Sequence, residues 1–152
     1  MRTVIVYDTK YGNTRQVAER IAEGLKETEG METSLEYVKD VDTRRLPDYD
    51  AILIGAPVHM GAPSRTITKF IDNMAKLDLK EKRGAVFDTY LKTDYEKGVK
   101  PMESRIIQKV PGLKLVVPGL SVQVAGMSGP ITEGELPKCT DFGKRIAREL
   151  QP

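Results

Sequence analysis

The sequence predicts an α/β fold in which a doubly wound parallel sheet of five strands carries helices on both faces. Short continuous apolar runs, such as "TVIVY" at 3–7 and "AILIG" at 51–55, are typical of strands buried on both sides of a parallel sheet. Segments with helical apolar spacing separate these runs, and the alternation favours right-handed crossovers. No linker or internal repeat divides the chain, so we predict one domain over 1–152.

The predicted strands differ in their patterning. The run "GAVF" at 84–87 is continuously apolar and therefore central, like those at 3–7 and 51–55. Residues 33–38 ("TSLEYV") alternate apolar and polar side chains, which indicates a half-exposed edge strand. Two apolar pieces within 113–124 are separated by Pro118 and Gly119, which predicts a kinked strand at the other edge.

Apolar residues at helical spacing predict four helices, which lie between or after the strands. Their apolar faces fall within 17–25, 67–77, 99–110 and 139–150. Between 39 and 50 only Val41 and Leu46 could reach a core, so we expect a single helical turn in that crossover.

The composition restricts the function. The chain is 39% hydrophobic and 30% charged, as expected of a soluble globular protein. The chain has one cysteine, Cys139, which cannot form an internal disulfide. With one histidine, His59, in addition, a zinc site is improbable. Cys139 lies on the apolar face of the last helix, which favours a packed thiol over a redox one. A net charge of +2 with interleaved signs argues against nucleic acid as a partner.

The sequence also gives an expectation about location. No apolar stretch approaches the roughly eighteen residues of a membrane span, and the N-terminus shows no signal-peptide pattern. We therefore expect a cytoplasmic protein with no membrane partner.

In doubly wound sheets, ligands bind at the carboxyl ends of the strands, where the strand order reverses. The loops there are 8–14, 56–63, 88–98 and 125–136. In the first loop a helix begins near Asn13 or Thr14, so its first N–H groups are unpaired and form an anion site. Thr9 and Asn13 add polar donors, and Gly12 lets the backbone close around a phosphate monoester. Ordinary N-capping by Asn13 or Thr14 explains the same loop about equally well.

Other phosphate ligands fit less well. The loop has neither the "GxxxxGK[ST]" of a nucleoside triphosphate site nor the glycine trio of a dinucleotide site, which disfavours ATP and NAD. The third strand ends in Gly55 rather than in the aspartate that accepts phosphate in a receiver domain.

The run "IVYDTKYGNTRQVAERI" at 5–21 resembles the N-terminal signature of the flavodoxin family. The likeness extends over nearly the whole chain, because "LIGAPVHMGAPS" at 53–64 and "VFDTYLKTDY" at 86–95 look like the second and third flavin loops. The segment "PGLSVQVAGMSGPITEGEL" at 118–136 resembles archaeal flavodoxins and the flavodoxin modules of diiron oxidases. The resemblance implies a flavodoxin-like fold with strand order 2-1-3-4-5 and FMN as the cofactor.

The resemblance also implies the residues of the site. The first loop would hold the FMN phosphate through Thr9, Lys10, Tyr11, Gly12, Asn13 and Thr14. One face or the dimethylbenzene edge of the isoalloxazine would be lined by Pro57, Val58, His59, Met60 and Gly61. The other face would be lined by Asp88, Thr89, Tyr90, Leu91 and Tyr95. Familiar flavodoxins often place a tryptophan in the second loop, but this chain has none.

Some of these residues have simpler interpretations. Tyr90 and Tyr95 could be loop aromatics that pack locally instead of contacting the ring. His59 is expected to cover or hydrogen-bond the flavin edge rather than to act as an acid–base catalyst. No catalytic side chain and no metal are expected.

The leading hypothesis is an FMN-binding carrier that shuttles electrons between redox partner proteins. Partners would dock near the flavin edge and the 88–98 loop, whose surface is polar and charged. Because the chain is nearly neutral whereas familiar flavodoxins are acidic, the partner should differ from theirs. The alternatives are an FMN-dependent quinone reductase or protoporphyrinogen dehydrogenase-like oxidoreductase, and a flavin-free interaction module. The oligomeric state stays open between a monomer and a weak dimer.

Overall fold

The computed structural model describes residues 1–151 as alternating strands and helices. The strands are β1 (Arg2–Tyr7), β2 (Glu32–Tyr37), β3 (Ala51–His59), β4 (Ala62–Pro63), β5 (Arg83–Leu91), β6 (Lys114–Leu115) and β7 (Leu120–Val124). The helices are α1 (Asn13–Lys26), α2 (Arg65–Met74), α3 (Val99–Lys109) and α4 (Leu136–Leu150), with a 3₁₀ turn at Thr43–Asp48 in the predicted degenerate crossover. None of these helices is long and apolar enough to cross a membrane.

The sheet confirms the predicted strand order. Its path is β2-β1-β3-β5, and β6 and β7 each pair in parallel with β5 at the far edge. That edge strand is divided where Pro118 and Gly119 interrupt it, because proline cannot donate to the ladder. The short strand β4 pairs antiparallel with β3 and lies outside the predicted order.

The sheet separates two apolar cores. Side chains alternate between faces along a strand, so Ile5 packs with α1 and α4 whereas Val4 and Val6 pack with α2 and α3. Cys139 is fully buried in the first core, and burial raises its thiol pKa to about 12, which confirms a packed cysteine. Helices therefore cover both faces, as the sequence predicts.

The central strands β3 and β5 are longer than predicted, so parts of the predicted second and third loops belong to the sheet. β3 continues to His59 because Val58 and His59 pair with Pro63 and Ala62 of β4. β5 continues to Leu91 because it pairs with β7, where Tyr90 lies opposite Gln123. Tyr90 is thus a half-buried strand residue and not an exposed loop aromatic. The second and third predicted loops begin inside the sheet, which fixes the side chains at their bases.

Candidate functional site

A cavity of about 380 Å³ opens at the carboxyl ends of β1, β3 and β5. This volume lies in the range of about 300–1,000 Å³ that is usual for small-molecule and cofactor sites. Most of the predicted site residues lie around it. The lining consists of Thr9, Lys10, Tyr11, Asn13, Thr14, Pro57, Val58, His59, Met60, Thr89, Tyr90, Leu91, Asp94, Val124 and Met127.

The predicted residues outside this lining are Gly12, Gly61, Asp88 and Tyr95. Gly12 precedes α1 and shapes the backbone of the first loop. Gly61 lies at the tip of the β3–β4 hairpin. There Met60 and Gly61 both have positive φ, 51° and 75°, as a two-residue hairpin requires. Tyr95 packs against Tyr90 from outside the cavity.

The first loop leaves the start of α1 open to a ligand. The N-cap residue is Gly12, with φ 91° and ψ −3°, and no side chain caps the helix. Its own N–H donates to Thr9 Oγ1 at 2.9 Å, which holds the loop in a tight turn. The alternative that Asn13 or Thr14 caps this helix is therefore wrong. The first N–H groups of α1 are uncapped, carry the positive end of the helix dipole and suit a phosphate.

A buried pair of hydroxyl groups joins the first and third loops. Thr14 Oγ1 lies 2.8 Å from Thr89 Oγ1, and the two residues are 1% and 5% exposed. Either hydroxyl can donate in this pair. When Thr89 donates to Thr14, the proton of Thr14 is free for an acceptor at the start of α1. The pair thus fixes α1 against β5 and can orient one donor toward a phosphate.

Asp88 supports the third loop from beneath. Its carboxylate accepts the N–H groups of Gly98 and Val99 at 3.0 and 2.9 Å, and the hydroxyl of Ser121 at 2.6 Å. Side chains alternate along β5, so Asp88 faces α3 while Thr89 faces α1. Its interpretation as a residue lining the flavin is therefore corrected to one that anchors the loop. Burial raises the pKa of Asp88 to about 6, against the lowering effect of these hydrogen bonds.

The side walls of the cavity are aromatic and apolar. Tyr90 is edge-on to Tyr95, with ring centroids 5.6 Å apart and planes at 74°. Burial, followed by the nearby carboxylate of Glu135, raises the pKa of Tyr90, so its phenol stays protonated at neutral pH. The opposite wall consists of Val58, His59 and Met60, of which His59 and Met60 are exposed.

A fourth wall comes from the turn after β7. Val124 and Met127 line the cavity together with Asp94. Asp94 and Met127 lie in the predicted ligand-binding loops 88–98 and 125–136, but none of the three is among the predicted site residues. Gly129 brings this turn against Asn13, because a Cβ at Gly129 would lie 2.7 Å from Asn13 Oδ1. The glycines of 125–136 were the available signal, since they mark a turn at the end of an edge strand.

The donors fit FMN. Uncapped N–H groups and the hydroxyls of Thr9 and Thr14 face one end, where a phosphate needs donors. Lys10 adds a positive charge there, with its ammonium 5.5 Å from the centre of the Tyr11 ring. Tyr90 and the apolar side chains of the cavity lining suit a flat aromatic ring system. The fold and this cavity are those of a cofactor-binding α/β protein, and the uncapped start of α1 suits a phosphate.

Comparison with known proteins identifies the family. Residues 4–122 match the flavodoxin domain family. A flavodoxin of Clostridium saccharobutylicum is 33% identical over 89 residues, which are 59% of this chain and 56% of that protein. A flavodoxin of Aquifex aeolicus is 33% identical over 73 residues, which are 48% of this chain and 40% of that protein. The matched segments thus cover less than two thirds of either relative.

Solved structures show the same fold. Flavodoxin 1 of Bacillus cereus superimposes with a TM-score of 0.81 at 25% identity and covers 99% of this chain and 100% of that one. A flavodoxin from the domain Archaea gives a TM-score of 0.83 at 22% identity over 98% of both chains. The chain belongs to the flavodoxin family. Flavodoxins bind FMN and carry electrons, so FMN is the cofactor that membership of this family assigns to the protein.

Proposed function

We propose that this protein is an FMN-dependent carrier that passes electrons between redox partner proteins. The observation that carries the proposal is that one cavity is lined both by the uncapped start of α1 and by Tyr90. When bound, FMN supplies the redox chemistry, and the protein's part is to bind and orient it. The start of α1 and the hydroxyls of Thr9 and Thr14 would hold the phosphate.

The walls of the cavity would hold the ring system. Tyr90, braced by Tyr95, would stack on one face, while the β3–β4 hairpin would cover the other. The exposed ends of His59 and Met60 leave one edge of the cavity open to solvent. Electrons could pass to a partner there without a catalytic side chain.

The same open edge supports a second candidate, a quinone or porphyrinogen oxidoreductase, because a flat substrate could approach the ring there. The two are separated by an anaerobic potentiometric titration of the FMN-loaded protein. A carrier is expected to take up electrons in two resolved one-electron steps and to react slowly with quinones. A single two-electron step with rapid oxidation by a quinone would favour the oxidoreductase instead.

The Tyr90→Leu variant tests the assigned ring contact. Stacked tyrosine quenches flavin fluorescence, so the FMN-loaded variant should be brighter than the wild type and its midpoint potentials should shift. Tyr49→Leu is the matched control, because Tyr49 packs under the guanidinium of Arg2 and lies outside the cavity lining. Equal fluorescence and equal potentials in wild type and Tyr90→Leu would show that Tyr90 does not stack.

A further inference from the structure

A second cavity of about 490 Å³ lies between α2 and α3, on the sheet face opposite α1 and α4. We call it the α2–α3 groove. Its apolar surface comes from Pro63, Ile71, Pro101 and Met102. Ile71 and Met102 are buried, whereas Pro101 is exposed, so the groove has an apolar floor and an open rim.

The rim of the groove is positively charged. Asp72 is its only acid among the lining residues of the described chain. The Arg105 guanidinium binds this carboxylate through two hydrogen bonds of 2.6 and 2.7 Å, and Lys109 Nζ lies 3.3 Å from it. These cations hold the pKa of Asp72 at about 2, so its carboxylate stays ionised and its negative charge is balanced by Arg105 and Lys109. The groove therefore keeps no free negative charge.

Two further cations at the rim are unpaired. Arg65 and Lys69 are exposed, lie one helical turn apart on α2 and form no ion pair with any residue of 1–151. Two unpaired cations on neighbouring turns of a helix usually belong to a face that is simply exposed to solvent. Here, however, both side chains border an apolar floor, which a solvated face does not require.

The groove adjoins the FMN cavity. Val58 and His59 line the cofactor cavity, whereas their cross-strand partners Pro63 and Ala62 line the groove. Paired strands lie about 5 Å apart, so one hairpin separates the two sites. A macromolecule held in the groove would therefore lie beside the open edge of the cofactor.

We propose that the α2–α3 groove docks an acidic segment of the partner that exchanges electrons with this protein, an inference that rests on the proposed function. An apolar side chain of the segment occupies the floor, and flanking carboxylates pair with Arg65 and Lys69. A free inorganic anion would satisfy the cations but not the apolar floor. An acidic peptide satisfies both, and its charge complementarity would also speed association.

The test uses the ¹⁵N-labelled, FMN-loaded protein and two hexapeptides blocked at both ends, EELFED and its neutral counterpart QQLFQN. Binding is followed by amide chemical shifts at low and physiological salt. The test variant is Arg65→Glu/Lys69→Glu. The control is Arg145→Glu/Arg148→Glu, which changes net charge equally at exposed positions of α4 on the other sheet face.

EELFED is expected to shift amides of α2, the start of α3 and the β3–β4 hairpin. Its Kd should rise at least about tenfold in Arg65→Glu/Lys69→Glu, because both attractive charge pairs become repulsive, and should stay within about twofold in the control. Binding should also weaken as salt rises.

Any of three results would overturn the proposal. The control variant could lose as much affinity for EELFED as the test variant, QQLFQN could bind the wild type as tightly as EELFED, or EELFED could shift only amides at the mouth of the FMN cavity. Inorganic phosphate alone producing the same shifts at millimolar concentration would also overturn it, in favour of a small-anion site. FMN affinity is measured on the same samples. Failure of the wild type to bind FMN would refute the proposed function, whereas peptide binding is read independently of it.

Discussion

The hydroxyl of Thr14 offers the sharpest test of the phosphate site, through the substitution Thr14→Val. Valine keeps the shape of the side chain but removes the hydroxyl that lies 2.8 Å from Thr89 Oγ1. At 1% exposure no water can replace it, so Thr89 keeps a buried hydroxyl without its partner. The expected loss in free energy of unfolding, without FMN, is about 1–3 kcal/mol.

FMN binding adds a second, separate effect. If Thr14 donates to the phosphate, Thr14→Val also removes a hydrogen bond to a charged group, worth about 1.5–3 kcal/mol. This corresponds to FMN binding that is weaker by roughly 10- to 150-fold. Thr89→Val removes the same hydroxyl pair but leaves the Thr14 donor, so its FMN affinity should fall much less.

The assays are denaturant unfolding of the FMN-free protein and titration of FMN followed by flavin fluorescence. Thr3→Val is the control, because Thr3 is fully buried and its hydroxyl has no partner within residues 1–151. It should leave both stability and affinity intact. In the double variant the unfolding cost should be less than additive, since no hydroxyl is left alone. Equal loss of FMN affinity in Thr14→Val and Thr89→Val would refute the assigned phosphate contact.

Two further predictions, one on Asp88 and one on Gly129, concern the residues that support the site. Folding raises the pKa of the Asp88 carboxyl from 3.8 to about 6. Between these two pH values the unfolded chain has lost this proton while the folded protein keeps it, so the free energy of unfolding should fall by about 3 kcal/mol as pH rises. Asp88→Asn should abolish this fall, and parallel pH–stability curves for the wild type and the variant would contradict the prediction. Gly129→Ala and Gly134→Ala both place alanine at positive φ, at a cost of about 1–2 kcal/mol, but only the first meets the side chain of Asn13. Gly129→Ala alone should therefore weaken FMN binding, and equal affinities in the two variants would count against the contact.

Structural features set by residues close together in the chain could be predicted from the sequence, whereas those set by long-range pairing could not. The strands at 3–7 and 51–55 were predictable because burial on both faces leaves an unbroken apolar run. Their ends were not, because β3 and β5 are extended by pairing with β4 and β7. A residue's own neighbours in the chain do not encode that pairing.

The candidate site likewise has features set by local sequence and features set by long-range contacts. The first loop could be predicted because its polar residues are contiguous and its helix starts within it. The choice between capping and anion binding could not, since it depends on the Gly12 conformation and on the contact of Thr14 with Thr89, 75 residues away. Asp88 looked like a ring contact from its place in the motif, yet strand alternation and the start of α3 direct its carboxylate under the loop.

The sequence by itself determined the class of fold, the edge and central strands, and the loop in which the first helix begins. These features depend on local periodicity and on residues adjacent in the chain. Only the tertiary structure decided that Val124 and Met127 join the cofactor cavity and that α2 and α3 form a cationic groove beside it. Both arrangements join residues far apart in sequence, and the packing of the sheet with its helices brings them together.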